Sequence, residues 1–203
     1  TKLTYFTPRM SGIQLGVSYS PDGGTERGAA FGTASGALEQ AGGTGLGEFL
    51  EAGVNWNGKL GDASVRVSGS FADGSSEETT GAPRNDRDEW SVAASASMNG
   101  WSFGAQYQDG ETNGGGLTAT TTQRDDIEWR AGLTYATGAW LLGLEYASRN
   151  VEVTATTEDE VEVWGIGARR NLGAGVTAGI GVHLWDWDDG GNLAAQENDA
   201  TEF

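Results

Sequence analysis

The side chains that could do chemistry in this chain are few and far apart. There is one histidine, His183, and no cysteine, so no histidine-based metal cluster can form. Serines are plentiful, yet none sits in a G-x-S-x-G turn, and the sequence places no base beside a nucleophile. The acidic runs "DWDDGG" (186–191) and "EDE" (158–160) carry the oxygen ligands that calcium prefers, which makes Asp186, Asp188 and Asp189 secondary calcium candidates. Neither run has the twelve-residue spacing of an EF-hand loop, and a solvated acidic loop is the simpler reading. The sequence thus asks for no cofactor and no catalysis. What remains is a set of isolated charges within alternating segments: Lys2, Glu51, Arg66, Arg130, Glu145 and Arg169, with His183 alike in character. On one face of a wall, such charges set the field felt by a passing ion. In the plainer reading they satisfy one another across that wall.

The elements that hold these charges follow from residues 127–147, "IEWRAGLTYATGAWLLGLEYA". Every second residue gives Trp129, Ala131, Leu133, Tyr135, then Trp140, Leu142, Leu144, Tyr146. Each run is an apolar stripe with an aromatic at both ends, and small or polar residues lie between. The same alternation recurs from Leu3 to Tyr5, Ile13 to Tyr19, Leu50 to Trp56, Ala63 to Phe71, Trp90 to Met98, Trp101 to Tyr107, Trp164 to Ala168 and Val176 to Leu184. A period of two is the signature of half-buried strands. Ten strands are expected, and no helix.

Connections alternate as regularly as residues. "RMSG", "NGKLGD", "NG", "TGA" and "RNLGAG" read as tight turns rich in Gly and Asn, whereas 22–48, 73–89, 109–128, 149–162 and 186–202 read as long polar connections. In an up-and-down antiparallel sheet this puts every tight turn on one rim and every long loop on the other. Of the 29 acidic residues, all but Glu51, Asp62 and Glu145 fall in the long connections and their flanks. The expected sheet is therefore electrically polar along its strands.

Composition bounds the rest. At 203 residues the chain fits one domain over 1–203. Its 34 Gly and net charge of −17 could suggest disorder, but eight Trp, five Tyr and six Phe argue for packed or membrane-seated structure. The charge disfavours nucleic acid as a partner. The chain starts at Thr1 without Met or a signal peptide, as a mature or trimmed form would.

Two architectures could use these strands. In a soluble β-sandwich, for instance a secreted carbohydrate binder, the apolar faces meet one another. In a transmembrane barrel they meet lipid, and the polar faces line a lumen. Three features favour the barrel: aromatics at both ends of the stripes, where they rest at membrane–water interfaces; an opposite face of Gly, Ser, Thr and Gln; and loop lengths segregated by rim. Tyr19, Trp56, Trp101, Tyr107, Trp129, Tyr135, Trp140, Tyr146 and Trp164 are then interface aromatics, and the isolated charges above are pore-lining. A barrel without a useful channel, structural or adhesive through its loops, is the alternative within this class.

The segment "KLTYFTPRMSGIQLGVSYSPD" (2–22) resembles a hairpin of Gram-negative general porins, particularly those of alphaproteobacteria, and "EAGVNW" (51–56) resembles the strand that follows. The resemblance implies a trimeric outer-membrane barrel of sixteen strands, passing ions and small hydrophilic solutes. It implies that this chain is a portion of that barrel, with strands and an inward-folded constriction loop before Thr1 and most of a strand after Phe203; a self-contained ten-stranded barrel is the alternative, since even strand numbers close. Lipid and lipopolysaccharide are the implied surroundings. The acidic loops could reach lipopolysaccharide through divalent cations.

Overall fold

Each strand expected from the alternation is present and pairs with its neighbour in sequence. The computed structural model describes residues 2–22, 46–76, 87–113, 123–154, 157–190 and 200–202. They form β1 (Leu3–Phe6), β2 (Ile13–Asp22), β3 (Leu46–Leu60), β4 (Ala63–Ser76), β5 (Arg87–Met98), β6 (Trp101–Asn113), β7 (Gln123–Thr137), β8 (Trp140–Thr154), β9 (Thr157–Gly173), β10 (Val176–Asp189) and β11 (Ala200–Glu202). All are antiparallel members of one sheet, in the order β1 to β11. The short β11, opposite His183–Trp185 of β10, is the beginning of a further strand after the ten expected. No pairing joins β1 to β11 among the described residues, so the sheet is an open arc.

Apart from "NG", which is as short as it reads, the tight turns are tighter than their sequences suggest. Strands β5 and β6 join through Asn99-Gly100 alone, with φ of 53° and 85°. Positive φ at both central residues is the hairpin turn that matches strand twist, and Asn-Gly is its favoured sequence. The "NGKLGD" segment reduces to Gly61-Asp62, because β3 runs to Leu60 and β4 begins at Ala63.

On the opposite rim the strands continue well into the segments expected as loops. The clearest difference is 149–162: β8 extends to Thr154 and β9 begins at Thr157, leaving two residues between them. The bulk of the expected long connections, 23–45, 77–86, 114–122 and 191–199, lies outside the described residues, as does Phe203.

Among the described residues no hydrophobic side chain is buried; Ser18 and Ser148 are the buried polar ones. Among the described residues there is no second sheet to cover the first, and this sets the sandwich aside. An apolar sheet face left uncovered over ten strands is incompatible with a water-surrounded monomer.

Candidate functional site

Register decides which residues share a face. On one face the rung Trp101–Tyr135–Leu142–Ala168–Ile180 crosses β6 to β10, and Phe103–Leu133–Leu144–Ile166–Val182 lies beside it. Most of these side chains are exposed, Ile180 by 75%, while Tyr135, Ala168 and Val182 are half-buried. Aromatics close the apolar band at both ends. Toward the tight turns stand Trp56, Trp101, Tyr135 and Trp140. Trp101 stacks on Tyr135 at 4.4 Å, and the Arg170 guanidinium lies 5.2 Å from the centre of the Trp140 ring. Toward the other rim stand Tyr19, Trp90, Tyr107, Trp129, Tyr146 and Trp164. Tyr107 bridges Trp90 at 5.2 Å and Trp129 at 5.4 Å, and Tyr146 meets Trp164 at 4.7 Å. The nine aromatics named from the sequence all lie on this face, and Trp90 joins them.

The other face is concave. A trough of about 1040 Å³ runs across it from β4 to β10. The structure brings several of the sequence-named charges together here. Glu145 and His183 sit on β8 and β10, either side of Gly165 on β9. A Cβ at Gly165 would lie 2.6 Å from Glu145 and 2.7 Å from His183; without one, the two side chains meet over it, Nε2 to Oε1, at 2.8 Å. Lys2 pairs with Glu51, which also accepts a 2.5 Å hydrogen bond from buried Ser18. Arg130 pairs with Glu128. Arg66 lines the trough, and neither Arg66 nor Arg169 has an ion-pair partner among the described residues.

Several residues on this face were not named from the sequence. Arg149 forms a two-pronged bond to Asp126, at 2.8 and 2.6 Å. Arg9 folds inward from its turn to Gln14 at 2.9 Å and Asn55 at 2.6 Å. Trp185 and Trp187 both open onto the trough. Continuing the alternation past His183 places these two tryptophans; the acidic run around them reads as a loop instead.

Beyond the second aromatic row the strands carry carboxylates on the apolar-face side. Asp73 faces Asp88, Glu111 faces Asp125, and Glu152 faces Glu158 on adjacent strands. Glu111 and Asp88 share a hydrogen bond, and the Asp125 backbone N–H lies 3.5 Å from Glu152 Oε2. Together they make one acidic level across β4 to β9. Burial first, then the hydrogen bond with Asp88 and the charges of Asp88, Asp125 and Asp109, push the Glu111 carboxyl up to about 7. Asp186, Asp188 and Asp189 lie opposite Glu162, Glu160 and Asp159. Among the described residues no three such groups converge closely enough to hold a metal ion.

A sequence model described as Gram-negative porin matches residues 1–189. Among solved structures, the chain is similar to a porin refined at 1.8 Å, with a TM-score of 0.65 and 17% identity, covering 98% of this chain and 58% of that one. It is also similar to OmpT, an outer membrane protein of Vibrio cholerae, with a TM-score of 0.55 and 11% identity over 98% of this chain and 59% of that one. A loop-deletion variant of OmpT gives a TM-score of 0.53 at 12% identity, over 98% and 60%. No curated protein sequence matches. The chain therefore spans about three fifths of the length of the structures it resembles.

Proposed function

Because this chain belongs to the Gram-negative porin family, we propose that the protein it represents is an outer-membrane channel for passive diffusion of ions and small hydrophilic solutes. Residues 1–203 supply the larger part of the wall of one barrel domain, with sixteen strands in the closed barrel as the family resemblance implies. Family membership points to a channel rather than a catalyst, and the solute gradient is the driving force.

The observation that carries this reading is a sheet with no buried hydrophobic core among its described residues. Its convex face is apolar between two rows of aromatics, suited to lipid, and its concave face carries the charged side chains among small ones and holds a trough, suited to water. Lys2, Glu51, Arg66, Arg130, Glu145, Arg169 and His183 then line the pore. Much of their charge is paired, which favours permeability over sharp selection. The acidic strand ends and loops give a modest preference for cations at low salt, where screening is weakest. The carboxylate level just beyond the aromatic row sits where lipopolysaccharide phosphates would lie. Bridging divalent cations there would relieve repulsion between the two. A homotrimer follows from the family resemblance.

Planar-bilayer recording of the parent protein, purified in detergent, tests the proposal. Stepwise ohmic current increments, with cations favoured at low salt, are expected. A protein that inserts and stays silent would keep the barrel and remove diffusion as its job.

A further inference from the structure

We propose that Trp185 and Trp187 form one wall of a stacking subsite for neutral ring-shaped polyols, sugars above all, inside the trough, with the paired charges of β7 and β8 as the opposite, hydrogen-bonding wall. The inference rests on the pore reading above. Of the eight tryptophans, Trp56, Trp90, Trp101, Trp129, Trp140 and Trp164 share the convex face. Only Trp185 and Trp187 are on the concave one, 41% and 50% exposed. Two successive same-face positions on a strand are roughly 6.6 Å apart, so the rings offer adjacent apolar surfaces along the pore axis.

Register shows what stands across from them. Trp185 continues through Val163 and Ala147 to Arg130; Trp187 continues through Val161 to Arg149 and Glu128. The floor between is small and apolar, and three strand spacings make it about 14 Å wide from β10 to β7. The far wall is rich in hydrogen-bonding groups with its charge internally balanced. Arg149 is held by Asp126 and Arg130 by Glu128, with Glu145 against His183 one level away. Guanidinium and carboxylate groups keep spare donors and acceptors after pairing.

That combination selects its occupant. Along this wall a free ion finds the arginine charges already paired, and Arg66, unpaired among the described residues, stands at the far, β4 end of the trough. An apolar ligand or chain segment would cover the tryptophans but strip water from two charged pairs and the Glu145–His183 contact without replacing its hydrogen bonds, which is costly. A neutral sugar ring has an apolar C–H face for the indoles and a rim of hydroxyls for the opposite wall. Concave sites with an aromatic surface and a few converging polar groups are where such ligands bind.

The test is single-channel recording of the full-length protein with sucrose or mannitol added at equal osmolality. Mannitol is an open-chain polyol with no ring to stack. Sucrose is expected to lower conductance saturably, with added current noise, beyond the bulk-conductivity loss that mannitol produces. Trp185→Ala and Trp187→Ala should each raise the half-blocking sucrose concentration about fivefold, and Trp185→Phe and Trp187→Phe should largely retain the block. Open channels on which sucrose and mannitol act alike overturn the subsite and leave the pore standing. The subsite is equally overturned if both Ala variants keep the wild-type block, or if they change conductance without changing sucrose sensitivity, as they would if a protein segment covered the rings. A silent preparation removes the pore and the subsite with it. If an Ala variant fails to insert, the wild-type comparison of the two solutes and the Phe variants decide.

Discussion

Strand β8 passes through two environments. From Trp140 to Tyr146 its faces are opposites: Leu142 and Leu144 on the convex side, Gly143 and Glu145 on the concave side. From Ala147 to Thr154 both faces carry polar or charged groups, Ser148, Asn150 and Glu152 on one and Arg149 on the other. Strand β9 repeats the division in reverse, acidic before Trp164 and alternating after it. Pairing is unbroken across the boundary apart from an irregularity at Glu152/Thr154. Backbone hydrogen bonds thus hold the ladder in both regions, while the side chains record what lies outside. The 15 residues of β7 and β8 also exceed the roughly 9–11 that a tilted strand needs to cross the hydrocarbon. The excess is wall standing above the membrane.

The strongest way to break this comparison is to move one substitution between the two regions. Leu144→Arg puts a charge at mid-band against lipid and should cost about 2–4 kcal/mol in vesicle-based denaturant unfolding. Glu152→Arg, on the same face of the same strand, should cost less than about 1 kcal/mol or stabilise, because it places a cation opposite Glu158. Equal losses at both sites would erase the boundary.

A smaller effect marks the boundary itself. Tyr107 and Trp129 meet edge to face at 84°, and a double-mutant cycle on the pair should return a coupling of about 0.5–1.5 kcal/mol. Zero coupling would mean the rings are set by the interface separately.

The smallest expected effect lies in the extension and depends on pH. The Glu111 carboxyl is raised from 4.5 to about 7. The folded form therefore binds more protons than the unfolded form between those values. The contribution is fully present below about pH 4.5 and is lost as pH rises through about 7. Amide exchange at the ends of β6 and β7 should accordingly quicken across that window beyond its intrinsic pH trend, while exchange in the apolar band should not. Glu111→Gln should flatten the response.

The same boundary explains what was legible in the sequence. Within the band, contrast between lipid and water imposes a period of two. The stripes of β7 and β8, the aromatic ends and the Asn99-Gly100 turn could therefore be read directly. Above the band, water on both sides removes the contrast, and "RNVEVTATTEDEVE" reads as loop although most of it is strand. Trp185 and Trp187 were hidden for the same reason, inside "LWDWDD". The Glu145–His183 contact was hidden differently. It joins residues 38 apart over a glycine on an intervening strand, so it needs the register of two hairpins.

The central claim is that one face of these strands is wet and the other meets lipid. The chain contains no cysteine, so single cysteines placed along β8 in a cysteine-free parent protein can report on it. Residues 141 to 147, replaced one at a time, would be treated with a membrane-impermeant cationic thiol reagent in reconstituted vesicles while conductance is recorded. The account predicts alternation: cysteines at Leu141, Gly143, Glu145 and Ala147 react and lower the current, and those at Leu142, Leu144 and Tyr146 do not. Uniform reactivity, or reactivity confined to Leu142, Leu144 and Tyr146, would contradict it.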